Sequence, residues 1–398
     1  MKCRLCNAEK VTPVLNLGVQ PLANKYPQTS LDISNEKKFE MKVNYCPSCY
    51  SMQLEKLISR DLMFKDYYYL SSVNKELAQH FSTLADQIKH SRFVLDIGSN
   101  DGVLLKPLKD LGVHAVGIDP SENVSLIANK NGFQTITGFF DKNTSEKIIS
   151  IGGKPDCIVA SSVFTHLENI DEFMRVIGET LSDDGVFIVE VEYLGDLISK
   201  LEFERFYFDR PNYFSLKSLM SIFDRNNFEL IDAELIKPHG GSLRVHVQHK
   251  KTNKQNVSKR INEILMHEES VLQSSKIKSF SSDVSIVTNS LKEKLIEFAN
   301  KGLTVVGYGA PARLSTITNY GNIDDNLIDY IIDDSPLKAG RVTPGQHIPI
   351  YSFDYLDKNR PDIIIVFAYE YFESIYKKTS KFDVKYFKAI PPIQLKGN

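Results

Sequence analysis

The sequence predicts an α/β protein: two Rossmann-like, doubly wound domains preceded by a small cysteine-rich module. Three observations predict it. Two C-x-x-C pairs, Cys3/Cys6 and Cys46/Cys49, stand near the start of the chain. The run Phe93-Val-Leu-Asp-Ile-Gly-Ser-Asn-Asp-Gly102 passes from an apolar strand through a glycine turn into the helix-like Val103-Leu-Leu-Lys-Pro-Leu. A second opening of that kind, Thr304-Val-Val-Gly307-Tyr-Gly309, recurs in the last third of the chain. These divide the chain into a module over 1–72, a first α/β domain over 73–250, and connector helices with a second lobe over 251–398.

Length and composition agree: 398 residues, 42% of them hydrophobic, suffice for several cores. Lys+Arg 48 against Asp+Glu 50 leaves a net charge of −2 without long blocks of one sign. That balance argues against a nucleic-acid groove or a polybasic membrane anchor, and for small-molecule partners. The opening MKCRLC has no apolar stretch behind it, so the expected compartment is the cytoplasm. Four of the five cysteines fall in the two pairs, which reads as a metal site rather than a disulfide set in a reducing compartment. On oligomeric state the sequence is silent.

In chain order, Cys3, Cys6, Cys46 and Cys49 predict a closed shell of four thiolates around a structural zinc ion. The 39 residues between the pairs exceed a usual ribbon loop, so Val14–Gly18 and Gln20–Asn24 are expected to carry order of their own. Tyr67 and Tyr69 share one face of an extended segment and offer two phenols to a site. A helix is expected from about Glu76 to Lys89. The following turn reads D-x-G-x-x-x-G from Asp96, which departs from the dinucleotide fingerprint and matches S-adenosylmethionine enzymes. The second strand, His114–Asp119, ends in a carboxylate suited to both ribose hydroxyls of a nucleoside. Cofactor contacts are therefore expected from Asp96, Gly98, Asn100, Asp101, Gly102, Asp119, Pro120 and Ser161.

Strands at Gln134–Phe140, Pro155–Ser161 and Val186–Val191 complete a parallel sheet wrapped on both faces. Ligands in such sheets lie beyond the carboxyl ends of the strands, which singles out Ser161–His166 and Glu190–Tyr193. Cys157, inside a strand, reads as a small buried hydrophobe. Ser215 is a candidate cap for a helix beginning at Leu216. His239 and Arg244 flank a glycine pair before a strand, where they could hold a phosphate or a sugar hydroxyl. Lys250–Ser282 reads as a polar connector, and Val287–Asn300 as a helix leading into the second lobe. There Gly307 and Gly309 lack the third glycine of a nicotinamide site.

These landmarks together resemble the S-adenosylmethionine-dependent sugar C-methyltransferases of deoxysugar biosynthesis. The likeness runs through Cys3–Cys6, Leu17–Asn24, the second cysteine pair, Ile97–Gly102, His239–Arg244, Gly307–Ala310 and Asp334–Lys338. It implies methylation of a carbon beside a ketone on a nucleotide-linked deoxysugar, by way of an enolate. Acceptor contacts are expected from Tyr67, Arg210, Ser242, Arg244, Tyr308, Arg313 and Lys338. Where the family reads Tyr-His-Glu-His with the last histidine as base, this chain has Tyr207-Phe-Asp-Arg210, and a guanidinium stays protonated. The base then falls to His239 or Asp209, with Tyr207 and Tyr69 facing the oxyanion. Two alternatives stay open: O-methylation of a sugar hydroxyl, and a cofactor-binding protein that serves in a complex without turnover.

Overall fold

The structure is a computed structural model that describes residues 1–59, 62–63, 71–252, 258–272 and 274–396. An antiparallel N-terminal sheet opens with β1 (Thr12–Pro21), β2 (Lys38–Cys46) and β3 (Ser51–Leu54). The 39-residue insert between the cysteine pairs is thus ordered mainly by β1 and β2. Next come the helix Lys75–Ile88 and five parallel strands, β4 (Phe93–Ile97), β5 (His114–Asp119), β6 (Thr135–Thr137), β7 (Cys157–Ser161) and β8 (Val186–Glu192). Then β9 (Asn212–Tyr213) returns to the first sheet and pairs with β3. Finally β10 (Phe228–Ile236) and β11 (Ser242–His249) close the central sheet, in the order β10-β11-β8-β7-β4-β5-β6.

From β4 the chain winds outward to β5 and β6, then crosses back to β7 and β8. The reversal falls between β4 and β7, where doubly wound sheets open a ligand crevice. The second lobe repeats this plan with β12 (Val305–Tyr308), β13 (Tyr330–Ile332), β14 (Ile350–Tyr351), β15 (Ile363–Val366), β16 (Lys385–Lys388) and β17 (Gln394–Lys396). Its order is β14-β13-β12-β15-β16-β17, so its reversal lies between β12 and β15.

The strands read as nearly continuous apolar runs because helices cover both sheet faces. Leu95, Ile97, Ile158 and Val189 pack on one face, and Val94, Val159 and Ile188 on the other. Cys157 is 2% exposed, and burial pushes its thiol up to about 12, so it is inert packing. The polar stretch after Lys250 is more ordered than a connector. It forms helices Arg260–Val271 and Ser274–Asn300, the second burying Ile277, Phe280, Val284, Leu291, Leu295 and Phe298 along one stripe. Ser215 caps the helix Leu216–Arg225 through the amide of Ser218. Among the described residues, no helix is long and apolar enough to cross a membrane.

At the start of that helix the amides of Leu216 and Lys217 donate to Glu268, which is fully buried. Burial pushes this carboxyl up to about 7, against the pull of the two amides. An unfolded glutamate ionises near ~4.3. The stability contributed by the protonated acid is therefore complete below that value and lost as pH rises through about 7. Urea unfolding of wild type and Glu268→Gln should show the difference in their stabilities changing by about 2–3 kcal/mol between mildly acidic and alkaline buffer.

Candidate active site

The crevice side of the central sheet begins with the turn after β4. Gly98 and Gly102 hold φ of +74° and +89°, where a side chain is strained. A Cβ on Gly98 would also come within 2.6 Å of Val163. The amide of Gly98 donates to the carbonyl of Ile118 at 2.7 Å, locking the turn to the end of β5. One residue on, Asp119 accepts the amide of Asn100 at 3.0 Å and that of Ser121 at 2.9 Å, one on each carboxylate oxygen. Each oxygen keeps further acceptor capacity, which fits the two hydroxyls of a ribose. Half-buried Pro120 follows at the rim.

Asp96 is 4% exposed, and burial together with the negative charges of Asp119 and Glu190 pushes its carboxyl well above the usual range. A cation in the crevice would draw it back to the ionised form. Asp101, expected at the cofactor, is engaged by the chain itself. Its carboxylate accepts the amide of Ser72 at 3.2 Å, and the side chain of Asn100 accepts that of Ser71 at 3.0 Å. Both tie the glycine turn to the segment before the helix Lys75–Ile88.

Ser161 and Arg244 meet at Glu190. Glu190, on β8, accepts Ser161 Oγ at 2.6 Å, His80 Nε2 at 2.9 Å and Arg244 Nε at 2.7 Å. Burial raises this carboxyl, but His80 and Arg244 outweigh it and hold it at about 2. Arg244 also donates to Gln87 and Glu234, both at 3.0 Å, and is 3% exposed. It is a buried cross-link from β11 to Glu190 on β8, Gln87 on the helix Lys75–Ile88 and Glu234 on β10. Ser242 likewise turns inward, its hydroxyl donating to the carbonyl of Pro238 at 2.9 Å.

Beyond β7 and β8 lies a cluster on the segment Tyr207–Arg210. Arg210 pairs with Glu192, and its guanidinium lies 5.0 Å over the ring of Tyr207. Asp209 is 3% exposed and accepts the side-chain amide of Asn24; burial raises its carboxyl. The Asp209 carbonyl accepts Nδ1–H of His166, which fixes that tautomer and makes Nε2 the basic nitrogen. Burial, reinforced by the charge of Arg210, lowers His166 to about 4. His166 was missing from the residues expected to act, although its stretch was singled out as lying past a strand end. Its signal was position alone.

The cluster continues into the second lobe. Arg205 bonds Glu202 at 2.7 Å, Glu192 at 3.2 Å and Glu370 at 2.7 Å, and Arg313 pairs with Glu370 at 2.7 Å while lying 4.5 Å over Tyr369. Tyr308 turns away, donating to Asp334 at 3.1 Å. Lys338 donates to the carbonyl of Ala310 at 2.8 Å. The backbone of His239 lies in the turn Pro238–Gly240 beside Arg205, but its side chain, like Tyr67 and Tyr69, lies outside the described residues.

Apart from this crevice, the sulfurs of Cys3, Cys6, Cys46 and Cys49 lie within 4.8 Å of one another, with Cys3–Cys49 at 3.8 Å and Cys6–Cys46 at 3.6 Å. A tetrahedral zinc with Zn–S near ~2.3 Å spaces its sulfurs at about 3.8 Å. The four thiols fit one such ion and are too far apart for disulfides.

Three family models match the chain in succession: a zinc binding domain over residues 3–64, a methyltransferase domain over 69–233 and a C-methyltransferase C-terminal domain over 237–393. C-methyltransferase NovU of Streptomyces niveus is 28% identical over 389 residues, 96% of this chain and 92% of that protein. Ubiquinone biosynthesis O-methyltransferase of Azorhizobium caulinodans is 28% identical over 123 residues, 30% of this chain and 49% of that protein. Among solved structures, magnesium protoporphyrin IX methyltransferase (ChlM) of Synechocystis PCC 6803 with bound SAH aligns over 45% of this chain and 90% of that one, at 18% identity and a TM-score of 0.35. The chain is an S-adenosylmethionine-dependent methyltransferase. More narrowly, its matched regions run in the order zinc binding domain, methyltransferase domain and C-methyltransferase C-terminal domain, and it is related to C-methyltransferase NovU.

Metal analysis of freshly purified protein should give one zinc per chain. In Cys46→Ser the zinc should be lost and the melting temperature should fall, because a closed thiolate shell contributes its binding free energy to folding.

Proposed function

We propose that this enzyme methylates a carbon beside a ketone on a nucleotide-linked sugar, in the cytoplasm, with Cys3, Cys6, Cys46 and Cys49 holding a structural zinc. The observation that carries the reading is a repeated edge. At the end of β13, Asp333 accepts the amides of Ala310 at 2.6 Å and Ser335 at 2.9 Å, as Asp119 accepts those of Asn100 and Ser121 at the end of β5. Gly309 donates to Ile332 at 2.7 Å, as Gly98 does to Ile118. Two edges suited to nucleosides match a reaction in which both reactants carry one. Lys338, its amine 3.6 Å from Asp333, adds a cation of the kind a diphosphate requires.

In this reading Asp119 takes the ribose of S-adenosylmethionine, the turn Gly98–Gly102 backs its methionine part, and Asp96 ionises beside its ammonium group. S-adenosylmethionine, when bound, would supply an electrophilic methyl, with S-adenosylhomocysteine as the leaving group. His166 Nε2 removes the proton beside the ketone, so that the C–H electron pair becomes the enolate π bond and the carbonyl pair moves onto oxygen. Tyr207, a neutral phenol whose pKa burial raises, donates to that oxygen, and Arg210 balances its charge. The enolate carbon then takes the methyl, and His166 returns its proton to solvent. Asp209, with its raised carboxyl, is the competing base. Arg313, with its partner Glu370, stands on the acceptor side of the second lobe.

Calorimetry on Asp119→Ala should show cofactor affinity weakened by about 1.5–3 kcal/mol, the range for a lost charge-assisted bond. In wild type, affinity should drop as pH falls through the raised pKa of Asp96, because the cation must then displace a proton; Asp96→Asn should lose that dependence. Solvent deuterium exchange beside the ketone, in a panel of keto nucleotide sugars, tests the base. His166→Gln should abolish exchange, and the acid limb in wild type should lie near pH 4, below histidine's usual range. Loss in Asp209→Asn alone, with an acid limb nearer neutrality, would reassign the base. Absence of exchange in wild type with every bound keto sugar would favour O-methylation.

A further inference from the structure

We infer that Arg4, inside the first cysteine pair, is a positioning residue for methyl transfer, and that the metal-binding module shapes the acceptor side of the site through it. Arg4 lies between Cys3 and Cys6, and its guanidinium reaches out of the module. Nη2 donates to the carbonyls of Leu54 and Pro211, both at 2.8 Å, and Nε donates to Asn212 Oδ1 at 3.1 Å. The other end of that fully buried amide continues the chain: Asn212 Nδ2 donates to the carbonyl of Leu167 at 2.8 Å. Pro211 directly follows Arg210, and Leu167 directly follows His166. One guanidinium and one amide therefore hold both backbone segments that carry the acceptor-side groups.

Strand pairing sets the same register. Gln53 of β3 pairs with Asn212 of β9, while Gln53 Oε1 accepts the amide of Arg4 at 2.9 Å. The planar fork of Arg4 serves three acceptors at once, which a lysine ammonium on a flexible stem does not reproduce. Displacing either segment moves His166, Tyr207 and Arg210 relative to one another and leaves the Asp96–Asp119 edge untouched. Transfer reactions are sensitive to such displacement, since a misplacement of about 1 Å costs on the order of 100-fold in rate.

The inference rests on the reading that His166 and Tyr207–Arg210 face the acceptor. Two conservative variants test it. Arg4→Lys keeps the charge and loses the fork. Asn212→Asp keeps the oxygen facing Arg4 but turns a second oxygen against the Leu167 carbonyl. Both should retain zinc content and S-adenosylmethionine affinity, while kcat falls roughly 10- to 100-fold and the acid limb of the pH–rate profile shifts. Wild-type kcat and pH profile in both, alongside an inactive His166→Gln, would overturn the inference and leave the acceptor-site reading standing. Full activity in His166→Gln and Arg210→Ala would overturn that reading instead. Joint loss of zinc, cofactor affinity and turnover would show that these contacts serve only the fold, and would overturn the inference as well.

Discussion

Burial of carboxylates at the carboxyl ends of β4, β5 and β8 is the constraint on which the rest depends. Asp96, Asp119, Glu190 and Glu192 are each less than a tenth exposed, and a buried charge is tolerated only where partners meet it. The neighbouring architecture supplies those partners from every direction. Glu190 draws His80 from the helix before β4 and Arg244 from the antiparallel strand β11. Glu192 draws Arg205 and Arg210 from the segment that follows β8. Asp119 is met by backbone amides, which need a tight glycine turn to converge on it. Burial pushes both Asp96 and Asp119 towards their neutral forms, and Asp96 sits where a cationic ligand is expected.

The same pairing joins the second lobe to the first. Glu370 lies between Arg205 and Arg313, so one carboxylate from the last third of the chain serves a guanidinium from each lobe. On the other side Tyr26 donates to the carbonyl of Ala310 at 2.7 Å, and Lys338 bonds the same oxygen. Asn24, two residues earlier, reaches Asp209. The stretch from Asn24 to Tyr26 thus touches the acceptor segment and the glycine turn of the second lobe together. Side chains of the first module, of the segment 194–213 and of the second lobe share one apolar core, so the three regions pack as one body.

What was legible in the sequence was local. The cysteine pairs, the turn after β4, the burial of Cys157 and the cap at Ser215 each follow from residues a few positions apart. Destinations of long side chains were not. Ser242 begins a strand directly after a glycine pair and Arg244 follows two residues on, which looks like a ligand loop, yet β11 runs antiparallel beside β8 and delivers Arg244 to Glu190. Asp101 follows the same logic, since its partner Ser72 comes from a separate segment. In the helix Ser274–Asn300 the buried residues were present at helical spacing, but the serines and lysines between them masked the stripe in its first half. Arg210 was set aside as a base because a guanidinium stays protonated, while His166, which contacts the same segment, was passed over because no nearby residue marks it.

Strand β9 has a consequence for how the chain acquires its shape. The N-terminal sheet receives its fourth strand from Asn212–Tyr213, well over a hundred residues after β3. During synthesis the module therefore emerges with its β3 edge unpaired, and that edge stays so while the whole parallel core of the central domain is being made. An unpaired edge is a template for pairing with other chains. Long-range closure of this kind is slow, because the loop entropy is lost before the contacts form. Residues 1–54 by themselves make an incomplete unit, whose β3 edge is paired by the domain it supports.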